Sequence, residues 1–304
     1  MSEERIYPHS GVVVRKQELA LDSTWRCTLD IAAKLLLNAD VTRRVLIAFL
    51  RRELERFGFR KAVLNLSGGL DSSLTCFLTA EAIGAENVLA LLLPYRTSTP
   101  DSAEHAKQVV ALTGVHSKTV DITPMVDPYL KRDPQMSEIR RGNVMARMRM
   151  IILYDHSVVW NGLPIGTSNK TELLLGYGTI FGDMACAINP LGDLYKTQVR
   201  QLARAVGVPE AIIQKPPSAD LWIGQTDEGE LGFTYAEVDK VLYLLVDERY
   251  TREEAIAAGF DAHFVDTVLR KMRTSQFKRM PPIIAKVSRR DVGHDFLYPR
   301  DWGT

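Results

Sequence analysis

The sequence predicts an α/β fold: a doubly wound, mostly parallel sheet flanked by helices, followed by a mostly helical C-terminal part. Three observations predict it. Short, largely apolar runs such as "KAVLNL" (61–66), "NVLALLLP" (87–94) and "LPIGT" (163–167) alternate with stretches of helical period. These runs lack a regular polar alternation, as strands covered on both faces do. Beyond about residue 190 the helical patterns continue while strand-like runs cease.

Each element has its own signal. Residues 1–38 are less regular and are read as an N-terminal arm, and residues 39–304 as a single domain. "VTRRVLIAFLRRELERFG" (41–58) spaces Val45, Ile47, Phe49, Leu50, Leu54 and Phe57 among charges and stops at Gly58, the pattern of an amphipathic helix. The strand 61–66 follows, then a helix from Asp71 to Ile83 closed by Gly84, then the strand within 87–94. "DSAEHAKQVVALTG" (101–114) opens on an aspartate suited to cap a helix and ends at a glycine. A short third strand is expected at "KTVDI" (118–122) and a long helix over about Glu138–Trp160. The fourth strand, 163–167, runs at once into a helix beginning "NKTELLLG". Further helices are expected near 194–206, 234–246, 251–258 and 261–275. Between the first two of these lies the polar segment "QKPPSADLWIGQTDEGELGFTY" (214–235), of a length that lids and linkers have.

Composition narrows the function. The chain has 304 residues, 46% hydrophobic and 25% charged, with a formal net charge of +1, so no overall field draws it to nucleic acid or to a membrane. No apolar run approaches the length needed to span a bilayer, and "MSEERIYPHS" has no apolar core for a secretory signal, which predicts a cytoplasmic protein. Cys27, Cys76 and Cys186 are far apart, with no CxxC pair, and are read as small buried apolar residues.

The most informative stretch is "VLNLSGGLDSSLTC" (63–76), where an apolar strand breaks at Ser67-Gly68-Gly69 and a helix follows. Glycines permit a sharp turn with amide groups pointing inward, and the helix start adds its positive end. Hydroxyls of Ser67, Ser72 and Ser73 supply further hydrogen-bonding groups. The loop is thus an anion cradle at the carboxyl edge of a parallel sheet. It lacks the lysine of GxxxxGK(S/T), so the usual phosphate-loop machinery is not indicated. Asp71 would repel phosphate unless a divalent cation lies between, which makes it a candidate Mg2+ ligand. The alternative is an acid that only favours the helix N-terminus.

"SGGLDSS" resembles the signature of the ATP pyrophosphatases, which cleave ATP between its α and β phosphates. "GTSNKTE", "GD" at 182–183 and "NPLGDLYKTQV", with "RGNVMARMRM" (141–150) and "KPPSADLW" (215–222), resemble NAD synthetases in order and spacing over about residues 40–282. The resemblance implies ATP-dependent amidation of deamido-NAD by ammonia through an adenylated intermediate, releasing AMP and pyrophosphate. It implies that Asp71 and Glu172 bind Mg2+, and that Ser67, Gly68, Gly69, Ser72, Ser73, Thr167, Lys196 and Ser218 contact ATP. It places Arg147, Asp183 and Lys278 at deamido-NAD, and it implies a homodimer packed through the helix that carries Arg147. Each residue also has a plainer alternative. Glu172 closes an N-x-x-E start and suits a capping box. Thr167 ends a strand, Ser218 follows two prolines, and Asp183 suits a turn. Lys196 reaching into water, Arg147 lying along a helix face and Lys278 offsetting a helix dipole complete the alternatives.

The chemistry is coherent. A carboxylate resists ammonia, and adenylation gives it a good leaving group. Lys196 and the loop amides are expected to stabilise departing pyrophosphate, and Asp183 to orient ammonia or take its proton. Only about 60 residues precede the first strand, too few for a glutamine amidase domain, so ammonia is expected as the nitrogen donor. Ile180 and Ala187 stand where many family members carry a lysine and an acid, and Phe277 replaces a histidine. These departures leave nicotinate mononucleotide as an alternative acceptor. A tRNA-thiolating enzyme lacks support from any cysteine pair or basic tract. A non-catalytic nucleotide-binding module would not need two carboxylates and Lys196 together.

Overall fold

The computed structural model describes residues 31–222 and 224–292. Ile31–Lys34 is a single helical turn, α1, in a unit that ends at Lys34. A second unit begins at Leu35. Its elements run α2 (Ala39–Arg56), β1 (Ala62–Asn65), α3 (Leu70–Ile83), β2 (Val88–Leu92), α4 (Pro100–Thr113), β3 (His116–Thr119), α5 (Thr123–Leu130), α6 (Glu138–Trp160) and β4 (Leu163–Ile165). Then come α7 (Lys170–Leu175), α8 (Lys196–Val206), α9 (Glu210–Gln214), α10 (Asp227–Leu231), α11 (Tyr235–Leu242), a π-helical turn (Tyr243–Asp247), α12 (Arg252–Ala257), α13 (Ala262–Thr274) and a short 3-10 turn (Gln276–Arg279).

The sheet is parallel, in the order β3-β2-β1-β4. Successive residues of β1 face opposite sides. Ala62 and Leu64 pack with Leu74, Leu78, Leu202 and Ile212, while Val63 packs with Leu91, Ile122, Val126 and Met145. Both faces are therefore buried, which is why β1 and β2 read as apolar runs rather than alternating ones. The edge strand β3, "HSKT", is exposed along its length. A third core, built on Tyr235, Val238, Val241, Leu242, Val265 and Val268, belongs to the helical C-terminal part.

The chain leaves β1 toward β2 on one side, and β4 lies on the other. The carboxyl ends of β1 and β4 thus flank a topological switch point, where α/β sheets open a crevice. Both motif loops, 67–69 and 166–169, emerge there.

Several expectations shift. The third strand occupies 116–119 rather than 118–122. The cap of α4 is Thr99, with Pro100 and Asp101 inside the first turn. Val45 of α2 and Phe57, which caps it, are exposed, and the buried positions of the helix are Leu50, Glu53 and Leu54. Helix α5, with proline at positions 124 and 128, has no counterpart among the expected elements, because prolines within a short run mask its period. Segment 214–235 contains helix α10 and is not structureless. Cys76 and Cys186 are free thiols, and Cys27 and most of the expected arm lie outside the described residues. Among the described residues no helix is long and apolar enough to cross a membrane.

Candidate active site

The glycine turn is fixed by its surroundings. Leu66 donates its amide to the Leu91 carbonyl (2.8 Å), extending β1 by one residue before the chain turns. Gly68 has φ +78°, and a Cβ there would collide with the Ser102 carbonyl oxygen at the start of α4. Only glycine meets both demands. The three serines divide their work. Ser73 is fully buried and donates to the Gly69 carbonyl at 2.7 Å, and Ser72 donates to the same oxygen at 3.1 Å. The Ser67 hydroxyl lies 3.0 Å from that of Ser72 and accepts from the Gly69 amide at 3.2 Å. Ser72 and Ser73 therefore hold the loop's shape, and exposed Ser67 stands at its outer rim. The first-turn amides of α3, which no helical carbonyl accepts, follow directly from the turn.

Asp71, Glu172 and Lys196 meet beside this loop, although they come from three helices. Lys196 is 3% exposed. Its Nζ forms an ion pair with Asp71 Oδ2 and a longer one, 3.4 Å, with Glu172 Oε1. It also lies 5.2 Å from the centre of the Tyr235 ring. Asn169 ties the acids together: its Nδ2 donates to Asp71 Oδ1 (2.9 Å), while its Oδ1 accepts from the Glu172 amide (3.0 Å). Glu172 Oε2 accepts from the Asn169 amide (3.1 Å), completing a capping box. One oxygen of Glu172 thus caps α7 and the other joins the charged cluster.

Burial raises the pKa of Glu172, the nearby negative charge of Asp71 raises it further, and Lys196 opposes both. Burial works against the Lys196 ammonium, but Asp71 and Glu172 outweigh it and hold its pKa above the ordinary lysine value. Two acids around one base leave the cluster short of positive charge, which suits an added cation.

Asp227, in the first turn of α10, is a third acid bearing on this cluster, through its charge on Lys196 and Glu172. It is buried and accepts from the hydroxyls of Tyr177 (2.9 Å) and Tyr235 (3.2 Å). Sequence reasoning missed it, because "TDEGE" reads as ordinary acids at a helix start. Segment 214–235 is anchored over the loop region. Lys215 Nζ donates to Ser102 Oγ (2.8 Å), and Asp220 accepts from the Thr99 amide (3.1 Å). Ser218 is exposed on this segment and accepts from the Asp220 amide at 3.1 Å. Thr167, half-buried, lies two residues past β4.

A second group of expected residues gathers around a cavity of about 300 Å³ lined by Tyr154, Ile180, Phe181, Met184, Lys278 and Met280, among others. Lys278 Nζ donates to the carbonyls of Gly176 and Gly178, each at 2.8 Å. Asp183 accepts from the Thr179 amide (2.8 Å). Surrounding protein raises the Asp183 pKa, against the Thr179 hydrogen bond and the charge of Lys278. Arg147, exposed on α6, donates to the Ile180 carbonyl (3.3 Å). Asp71, Glu172 and Lys196 thus form an inner charged cluster, and of the outer residues Lys278 lines the mostly apolar cavity while Arg147 and Asp183 bond to the backbone of 179–180 beside it.

The NAD synthase family model matches residues 42–282. A relative from Trichlorobacter lovleyi, named NH(3)-dependent NAD(+) synthetase, is 57% identical over 271 residues, covering 89% of this chain and 99% of that one. Among solved structures, an NH3-dependent NAD synthetase from Campylobacter jejuni superposes with a TM-score of 0.71 at 33% identity, over 82% of this chain and 100% of that one. An NMN synthetase from Francisella tularensis superposes at 0.73 with 29% identity, over 82% and 99% respectively. A glycine cradle at the switch point, a buried lysine between two acids, and matches spanning nearly the whole of these relatives make this chain a member of the NAD synthase family.

Proposed function

We propose that the chain amidates deamido-NAD with ammonia and ATP, giving NAD, AMP and pyrophosphate. The observation that carries this is the cluster of buried Lys196 with the partly buried Asp71 and Glu172, beside a lysine-free glycine cradle. The nicotinate carboxylate attacks the α phosphate, a carboxyl–phosphate bond forms, and the α–β phosphoanhydride breaks. Ammonia then attacks the acyl carbon, AMP leaves with its bonding electrons, and one proton is released. The loop amides and the Lys196 ammonium lie where negative charge accumulates on departing pyrophosphate. Asp183, beside Lys278 at the outer cavity, orients ammonia or takes its proton. Thr167 and Ser218 contact ATP, and Arg147, Asp183 and Lys278 hold deamido-NAD.

The acids also fit Mg2+. Among the described residues no group of three or more His, Cys, Asp or Glu side chains forms a closed metal cage. Mg2+ needs none, since it commonly takes one or two carboxylates and fills its shell with water and substrate phosphates. Asp71 and Glu172 would hold it, and when bound it would neutralise phosphate charge. Ile151, Val158 and Val159 on α6 are exposed, an apolar face that suits a homodimer.

The direct test measures pyrophosphate release and amide formation with deamido-NAD, with nicotinate mononucleotide and with neither. Amide formation is expected with deamido-NAD and ammonia, requires Mg2+, and is lost on chelation. A preference for nicotinate mononucleotide would transfer the assignment to the second acceptor, an alternative that Ile180 and Ala187 leave open. Pyrophosphate release without any acceptor would reject both.

A further inference from the structure

Helix α11 turns one face into the C-terminal core, through Tyr235, Val238, Val241 and Leu242. In the same helix lies Asp239, with no exposed surface. A carboxylate inside an apolar core is costly unless its oxygens are fully hydrogen-bonded. Here each oxygen accepts one hydrogen bond, which opposes the rise that burial imposes on its pKa, and the donors come from α7 and α8. Oδ1 accepts from the Thr171 hydroxyl (2.6 Å), and Oδ2 accepts from the Thr197 amide (2.8 Å). The Thr171 hydroxyl in turn accepts from the Lys196 amide (3.0 Å). Thr171 precedes Glu172 in the first turn of α7, and Thr197 follows Lys196 in the first turn of α8. One buried anion therefore joins two helix N-termini, where positive dipole ends and unpaired amides favour it.

We propose that Asp239 is a positioning residue that fixes Glu172 and Lys196 relative to each other by clamping the first turns of α7 and α8. It touches no substrate and acts through Thr171 and the two backbones. The proposal rests on the assignment of Glu172 and Lys196 to the reaction, and it gives the helical C-terminal part a task in the chemistry. An Asn at 239 keeps a single accepting oxygen, so either the Thr197 amide loses its acceptor or the Thr171 hydroxyl loses the acceptor for its proton and must take a hydrogen bond from the new side-chain amide instead. A shift of about 1 Å in reacting groups is enough to cost about a hundredfold in rate.

The test compares Asp239→Asn with Val238→Ala, a neighbouring core truncation on the same helix that loosens the fold and removes no hydrogen bond to either first turn. Each is assayed at a temperature giving the same folded fraction by circular dichroism. Asp239→Asn is expected to lose about a hundredfold in kcat with KM for ATP within about threefold, while Val238→Ala keeps its rate. Thr171→Val, which removes the relay hydroxyl, is expected to lose about tenfold, and Thr171→Ser to recover most of it. Hydrogen exchange reads the clamp without activity: the Lys196 and Thr197 amides should exchange faster in Asp239→Asn than in Val238→Ala. Equal activity loss in the two variants at equal stability, or unchanged exchange at those amides, overturns the proposal. Should Asp239→Asn fail to fold, the Thr171 pair decides, with equal rates for Val and Ser overturning it. A wild-type enzyme that forms no amide would sink the functional assignment alone, because the exchange comparison still reports on the clamp.

Discussion

Lys196 and Lys278 stand at the two ends of the site and are held in opposite ways. Lys196 is buried, faces Asp71 and Glu172, and has its charge enforced by them. Lys278 is half-buried and donates to two backbone carbonyls, and burial lowers its pKa against only the charge of Asp183. The inner end is a closed electrostatic network whose members hold each other in place. The outer end is a mostly apolar hollow with a few polar groups at its edge. A triphosphate needs fixed charge, whereas a flat aromatic acid needs an apolar slot with few directional contacts. The two ends differ as those two ligands do.

The largest expected effect comes from breaking the inner network. Lys196→Met should lower amide formation about a thousandfold, by removing the charge proposed to meet departing pyrophosphate. It also strands two partly buried acids, where removing one partner of a fully buried pair costs about 3–5 kcal/mol. The lower end is expected here, since the raised pKa of Glu172 lets it take up a proton once the lysine is gone. Adding Glu172→Gln to that variant should recover part of the melting temperature and none of the activity. Full recovery of both would mean that Lys196 serves only the fold. Next in size is Gly68→Ala, which forces a left-handed backbone on alanine and drives its methyl into the Ser102 carbonyl. A loss of about 2–3 kcal/mol in chemical denaturation is expected. A variant as stable as the parent would show that the turn is not pinned by α4.

What the sequence reveals divides along the same line. The glycine turn was legible because its causes are local: a strand end, a left-handed position and a helix start within a few residues. Glu172 and Lys196 were legible through the motifs that carry them, but their meeting with Asp71 depends on three helices converging on one crevice. Asp239 left a partial trace. Tyr235, Asp239 and Leu242 fall at i, i+4 and i+7, which puts an acid in an apolar stripe. That pattern announces a buried carboxylate in need of donors, and nothing local says that the donors lie in α7 and α8. Asp227 was hidden differently, inside an acid-rich helix start where acids are commonplace. Helix α5 escaped because its prolines remove the periodic signal, and the third strand was expected two residues too late because an exposed edge strand lacks the apolar run that marks bounds.

A smaller effect is expected at the outer end. Lys278→Met should raise KM for deamido-NAD about tenfold, or about 1.4 kcal/mol, and leave KM for ATP nearly unchanged. Stability should fall by about 1 kcal/mol or less, since the two carbonyls can find water at a half-open site. An equal rise in both KM values would erase the distinction between the two ends, because it would place Lys278 in the ATP network.

The two described cysteines give the finest measure of the same contrast. Cys76 is fully buried in α3, close behind the glycine turn, and burial pushes its thiol up to about 12. Cys186 lines the outer cavity, where burial also raises its pKa. The thiolate is the species that reacts with an alkylating reagent, so both should react slowly at pH 8. They should differ in what releases them. Deamido-NAD filling the cavity should slow labelling of Cys186 and leave Cys76 untouched. Cys76 should label only when the core opens, at a rate that follows global unfolding in denaturant. The linkage has a definite sign: the folded thiol keeps its proton to about 12 while the unfolded one loses it near 9.0, so this stabilisation is present below that lower value and fades as pH rises toward the upper one. Peptide mapping after timed alkylation reads both sites at once. Labelling of Cys76 in the native protein at the rate of Cys186 would mean that the core behind the glycine turn opens as readily as the outer cavity, and the rigid inner end would lose its foundation.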